Sequence, residues 1–352
     1  MKLKCMLFAM MMLWLSHVAV GQMNYLNESK TAFDTRMKWF REAKYGMFIH
    51  FGLYSQLGGE YEGKPVEGYA EWIQAGADIP KERYAYLLQN WNPSKFNADS
   101  IAQLAKDAGM KYIVLTTKHH EGFCLWDSPY TDFDIASTAL KGRDLVQELA
   151  TACKKRDLQF GAYYSIIDWH HDSQQRNPEG KDGGARWGQV VMKPEQKAVY
   201  IQYMKNQLKE LIVKYDTDIL WFDGDWVNWW DLQTGQDLYQ YLRELKPSLI
   251  INNRVAKREK FKRDFGTPEQ EHPGGMLNHD WEACYTLNNS WGFKKADENW
   301  KTSEEINKKL REINNMGGNL LLNIGPDGNG NIPAASKKIL LKATIERKNS
   351  KK

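Results

Sequence analysis

The chain has 352 residues, with 48 Lys and Arg against 44 Asp and Glu, for a formal net charge of +4. So near-neutral a balance carries no electrostatic footprint for nucleic acid, and the length suits one large barrel or two ordinary domains. The four cysteines form no Cys-x-x-Cys pair, which argues for buried thiols rather than a disulfide framework or a thiolate zinc site.

Residues 1–21, MKLKCMLFAMMMLWLSHVAVG, combine early lysines, an apolar run and small residues at Ala19 and Gly21. This is the pattern of a secretory signal peptide, cut near Gly21–Gln22. The uninterrupted apolar run Met6 to Leu15 is too short to span a bilayer. The reading is therefore a soluble exported protein, destined for periplasm, lysosome or medium, with no membrane span. Residues 22–347 form one barrel domain and 348–352 a basic tail. No linker, repeat or low-complexity tract divides the chain.

Strand-like apolar runs then alternate with helical patterns, the signature of parallel βαβ units. Gly46 to Phe51 is the first expected strand. Asp99 to Ala108 follows as a helix whose Ile101, Leu104, Ala105 and Ala108 share one face. Next come strand Tyr112 to Thr116, helix Asp144 to Lys155, strand Gln159 to Tyr164 and helix Pro194 to Tyr215. Strand Asp218 to Phe222, helix Asp237 to Leu245 and strand Leu249 to Asn252 continue the alternation. Helix Ser303 to Met316, strand Asn319 to Ile324 and a last helix, Ala334 to Glu346, complete it. Six strands with right-handed connections favour a (β/α)8-like TIM barrel, with room for irregularity, over an open doubly wound sheet. No Gly-x-Gly-x-x-Gly follows a strand to suggest a dinucleotide site.

The chemistry gathers at strand ends, where barrels keep their sites. The run Ile219 to Phe222 drives straight into Asp223, the first candidate for a catalytic carboxylate. Tryptophans at 221, 226, 229 and 230 around it favour a sugar site, because pyranose C–H faces pack on aromatic rings. His50, His119 and His120 follow other strands as candidates to bind substrate hydroxyls. The runs His119-His120-Glu121 and His170-His171-Asp172 also invite a metal reading. Against it, neighbouring residues on an extended segment point in opposite directions, so one histidine of each pair is turned away. A glycosidase needs a second carboxyl group. Glu269, in a turn-rich loop, and Glu282, in a short extended segment beside Trp281, compete for that role.

The stretches WFREAKYGMFIHFGLYS, AEW, TTKHHEGFCLWDS, DILWFDGDW, INNR, TPEQ, WEACYTLNNSWGF and GGNLLLNIGPDGNGNIP resemble glycoside hydrolase family 29, the α-L-fucosidases. The resemblance runs from about Trp39 to Pro333, nearly the whole mature chain. It implies a retaining double displacement on a fucosylated glycan, without cofactor or metal, with Asp223 as nucleophile. Glu282 is the expected acid/base, because its Trp-Glu segment resembles one group of the family, and Glu269 is the alternative. The resemblance also implies a fucose-binding shell of His50, Glu71, Trp72, His119, His120, Tyr164, Trp221 and Arg254, joined by Trp291. Family members usually carry a C-terminal β-sandwich that this sequence lacks, and exposure of the surface it would cover allows an oligomer. The alternative function is a non-catalytic fucose-binding protein on the same barrel.

Overall fold

The computed structural model describes residues 23–176 and 190–350; the expected leader lies outside them. Seven parallel strands form one curved sheet: β1 (Tyr45–Ile49), β2 (Tyr112–Lys118), β3 (Gln159–Ser165), β4 (Ile219–Asp223), β5 (Ile250–Ile251), β6 (Glu282–Tyr285) and β7 (Asn319–Ile324). Their spatial order is β6, β7, β1, β2, β3, β4, β5. Between the two edges, Phe265 to Glu269 takes the eighth place, through single parallel bridges Asn252 to Phe265, Gly266 to Trp281 and Glu269 to Cys284. Pro268 lacks an N–H for a regular ladder, yet its carbonyl still accepts from Cys284 N at 3.1 Å. The result is the expected TIM barrel, irregular at one stave.

Helices α1 (Lys30–Ala43), α2 (Ala98–Asp107), α3 (Leu145–Lys154), α4 (Pro194–Tyr215), α5 (Leu232–Leu245), α6 (Ser303–Asn315) and α7 (Ala334–Asn349) complete the main elements. Five begin at side chains that accept from first-turn N–H groups: Ser29, Asn97, Asp144, Asp231 and Thr302. Each such cap contributes about 0.5–2 kcal/mol. Helix α4 starts instead with Pro194 in its first turn. Among the described residues, no helix is long and apolar enough to cross a membrane.

Two buried clusters split the strand residues by parity. Phe48, Tyr112, Val114, Tyr163, Ile219, Trp221, Cys284 and Leu321 fill the barrel interior, with Met37, Phe40 and Ala43 of α1 packed against them. Their neighbours Met47, Ile49, Ile113, Tyr164, Leu220, Phe222 and Leu320 belong to the outer cluster, with the helices. Alternation along each strand produces this division, and it decides which side chains can reach a site inside the barrel.

Helix α1 and β6 lie outside the strands and helices expected from sequence, and α5 starts five residues earlier than expected. Gly235 disguises that start. A Cβ there would meet Ala256 and the Val255 carbonyl at 2.5 Å, so glycine is required for close packing of helix on backbone.

Candidate active site

At the carboxyl ends of the strands lies a cavity of about 320 Å³, at the small end of ligand pockets. Asp223, the last residue of β4, sits on it with Trp221, Arg254, Glu269, His50, His119, Glu71, Trp72 and Trp291. Glu71 and Trp72 arrive on a 3-10 turn, Ala70–Trp72, within the long connection from β1 to β2.

Arg254 organises the acids. Its Nη1 donates to Asp223 Oδ1 at 2.7 Å and its Nη2 to Glu269 Oε2 at 2.9 Å. Nε is fixed on Thr267 Oγ1 at 2.8 Å, and the guanidinium lies 4.6 Å from the Trp221 ring centroid. Tyr163 OH donates to Asp223 Oδ2 at 3.3 Å. Burial pushes the Asp223 carboxyl up, but neighbouring positive charge, Arg254 foremost and Arg258 with it, outweighs burial and holds the group below the usual carboxylate range. Asp223 is therefore ionised and aimed.

The histidines are neutral acceptors. Burial lowers His50 to about 3. Its Nδ1 lies 2.7 Å from Asn323 Oδ1, while Asn323 Nδ2 donates to the Trp291 carbonyl at 2.7 Å. That chain places the imidazole proton on Nδ1 and leaves Nε2 with a lone pair. His120 works the same way: Ser165 Oγ donates to the Ile167 carbonyl, so it accepts from His120 Nδ1 at 2.6 Å. His120 Nε2 then faces Asp223 Oδ2 across 3.7 Å. Burial lowers His120 to about 4 and His119 well below the usual range.

Two buried polar atoms of this cavity have no partner among the described residues, Glu71 Oε1 and His119 Nδ1. Glu71 Oε2 accepts from Gly292 N at 2.8 Å, and burial raises the carboxyl to about 7. Phe48, Trp221 and Trp291 make the apolar wall; Phe48 lies 5.1 Å from Trp221 and 5.9 Å from Trp291 between ring centroids.

Three expectations need correction. Glu282 is not on the cavity. It stands on the interior face of β6, two residues before the lining Cys284, and accepts from Tyr112 OH and from Trp221 Nε1 at 2.9 Å. Both oxygens are engaged below the floor, so of the two glutamates expected to compete for the second role, Glu269 is the one that lines the cavity with Asp223. Tyr164 also points away: its OH donates to Gln207 Oε1 of α4 at 2.7 Å, among the outer cluster. Its neighbour Tyr163 has the interior parity and lines the cavity. Finally, His119 and His120 do not diverge. The chain leaves the strand after Lys118, and their ring centroids come within 4.3 Å, with His120 facing Asp223.

His170 and His171 lie elsewhere, His170 stacked on Phe133 at 3.9 Å and His171 against Tyr200 and Tyr203. Among the described residues, no three His, Cys, Asp or Glu side chains are arranged to hold a metal ion.

A family described as alpha-L-fucosidase matches residues 13–344. The plasma alpha-L-fucosidase of Rattus norvegicus is 32% identical over 317 residues, which cover 84% of this chain and 65% of that protein. Its Homo sapiens counterpart is also 32% identical, with 84% and 64% covered. The chain thus spans somewhat less than two thirds of these curated relatives. Among solved structures, the alpha-L-fucosidase AlfC of Lactobacillus casei superposes with a TM-score of 0.79 at 34% identity, covering 90% of this chain and 99% of that one. An alpha-L-fucosidase of Bacteroides thetaiotaomicron, in a covalent intermediate trapped with a 2-fluoro-fucosyl fluoride, gives 0.80 at 32% identity, covering 90% and 75%.

Proposed function

The chain belongs to the alpha-L-fucosidase family, and from that premise we propose that it hydrolyses terminal α-linked L-fucose from glycans with retention of configuration. The observation that carries this reading is the shared guanidinium: Arg254 binds Asp223 and Glu269 at once, on the cavity where Asp223 is ionised.

Asp223 attacks the anomeric carbon while Glu269, as general acid, delivers a proton to the departing glycosidic oxygen. The C–O bond to the aglycone breaks and an ester to Asp223 forms. Glu269, now a carboxylate, then takes a proton from water, which attacks the same carbon and releases fucose and Asp223. His50, His119, His120 and Glu71 offer acceptors to the sugar hydroxyls. Phe48, Trp221 and Trp291 offer an apolar surface to its C–H face and methyl group. Trp72, T-shaped on His120 at 5.0 Å, closes one side. The first 21 residues support export as part of this proposal.

The test is release of nitrophenol from 4-nitrophenyl α-L-fucoside. The unchanged protein should turn it over and Asp223→Ala should not. An inert unchanged protein that still binds fucose would replace this reading with the binding-protein one.

A further inference from the structure

The residues proposed to hold fucose are almost wholly buried: Phe48, His50, Glu71, His119, Trp221 and Trp291 are each at most 5% exposed. Two other residues on the same cavity are not. Tyr69 is 42% exposed and Trp226 is 40% exposed. Among the described residues, four Tyr, Trp or Phe side chains stand this far open, namely Tyr69, Tyr86, Tyr130 and Trp226, and two of the four line this one cavity. A single exposed aromatic needs no explanation, whereas two that converge on a cavity mark a binding surface.

Both are held in place. Trp226 follows Asp223 by three residues; its ring lies 6.4 Å from that of Trp72, nearly parallel at 20°, and edge-on to His120 at 5.8 Å. Tyr69 precedes the turn that carries Glu71 and Trp72, and its carbonyl accepts from Trp72 N at 3.1 Å. Lys294 ties down the stretch before it, donating from Nζ to the carbonyls of Val66 at 3.0 Å and Gly68 at 2.8 Å. Aromatic surface that is already ordered loses little entropy when a ligand packs on it.

Their position decides what they would touch. The acid must reach the glycosidic oxygen, so the leaving group departs past Glu269. Tyr69 stands on that side: burial, and then the charges of Glu269 and Glu71, raise its phenol. The cations here are already paired, Arg254 with the two acids and Arg258 with Asp225, while Glu67 is exposed on the lining. Aromatic surface beside carboxylates suits a neutral hydroxylated ring and disfavours an acidic one. We infer that Tyr69 and Trp226 form the subsite for the unit next to fucose, and that this unit is a neutral pyranose. The inference rests on the fucosidase reading and deepens it.

The experiment compares methyl α-L-fucoside with α-L-fucosyl disaccharides of galactose and of N-acetylglucosamine. All three have poor leaving groups and need the acid, but only the disaccharides offer a second ring to the subsite. The readout is the ratio of kcat/KM for the faster disaccharide to that for methyl fucoside. This ratio should fall about tenfold in Trp226→Ala and in Tyr69→Ala, and stay within about threefold in Trp226→Phe and Tyr69→Phe. Damage to the fold or to Glu269 lowers both rates together and leaves the ratio in place. A ratio unchanged in either alanine variant would overturn the subsite alone. So would cleavage of neither disaccharide by a protein that cleaves the nitrophenyl fucoside. A protein inert on the nitrophenyl fucoside as well would overturn the fucosidase reading together with the subsite.

Discussion

Asp223 and Glu269 hang from the two terminal nitrogens of one guanidinium, Asp223 at 2.7 Å and Glu269 at 2.9 Å from Arg254. A strand end and an irregular stave of the barrel are thereby brought to one point. The pairing supports the proposal that these two carboxyl groups share a double displacement, and an experiment separates Glu269 from Glu282.

Glu269→Ala is expected to lose about 10²–10⁴ in kcat/KM on glycans with poor leaving groups. Azide should rescue it on an activated substrate and give an α-configured fucosyl azide. Glu282→Ala should not be rescued, and should instead lower the melting temperature. It leaves Tyr112 OH and Trp221 N–H buried without their acceptor, at about 1–3 kcal/mol each. Rescue of the Glu282 variant and not of the Glu269 variant would reverse the assignment.

The parity argument for β3 gives a paired prediction. Tyr163→Phe removes a donor to Asp223 and should lower kcat/KM. Tyr164→Phe strands Gln207 Oε1, which accepts from that phenol at 2.7 Å. It should cost about 1–3 kcal/mol of stability while kcat/KM stays near that of the unchanged protein. Denaturant melts and initial rates on the two variants decide this.

The acid limb of kcat/KM reports Asp223. Burial raises this carboxyl, and neighbouring positive charge, Arg254 foremost and Arg258 with it, lowers it further than burial lifts it. Arg258→Ala removes one of the lowering charges, whose Nη2 lies 3.5 Å from Asp223 Oδ1. Asp223 should then ionise at higher pH, and the acid limb should move up. A limb that stays in place or moves down contradicts this electrostatic account.

Stability should fall as pH rises through neutrality. Burial raises Glu121 from 4.5 to about 8, although Tyr84 and the Leu53 N–H donate to its oxygens. A carboxyl raised on folding binds its proton more tightly in the folded state. Its favourable contribution is full below about 4.5 and is lost as pH climbs toward about 8. Glu71 and Glu282, both raised to about 7, act in the same direction. Glu121→Gln should flatten the decline in melting temperature between these limits, and an unchanged slope would count against it.

Much of this was legible in the sequence because the strands β1 to β4 and β7 are continuous apolar runs, and because Asp223 terminates one of them. The same continuity hid the parity. A strand buried on both faces shows no alternation, so nothing in the run warns that Tyr164, expected from the resemblance, falls in the outer cluster while Tyr163 faces the interior. Glu282 was attractive for its apolar neighbour Trp281, and burial does raise its carboxyl. That burial is under the cavity floor, which no local pattern reveals. The stave Phe265 to Glu269 escaped notice because Gly266 and Pro268 read as a turn, and only bridges to both neighbours make it part of the barrel. Helix α1 was missed in a stretch rich in charged residues, although Ser29 caps it.

The most direct measurement is the intact mass of the protein after incubation with a 2-fluoro-fucosyl fluoride, followed by peptide mapping. The account predicts one added 2-fluoro-fucosyl group per chain, carried by Asp223 and absent from Asp223→Ala. A label on another residue, or turnover of fucosides with no covalent species in either protein, would contradict Asp223 as the nucleophile.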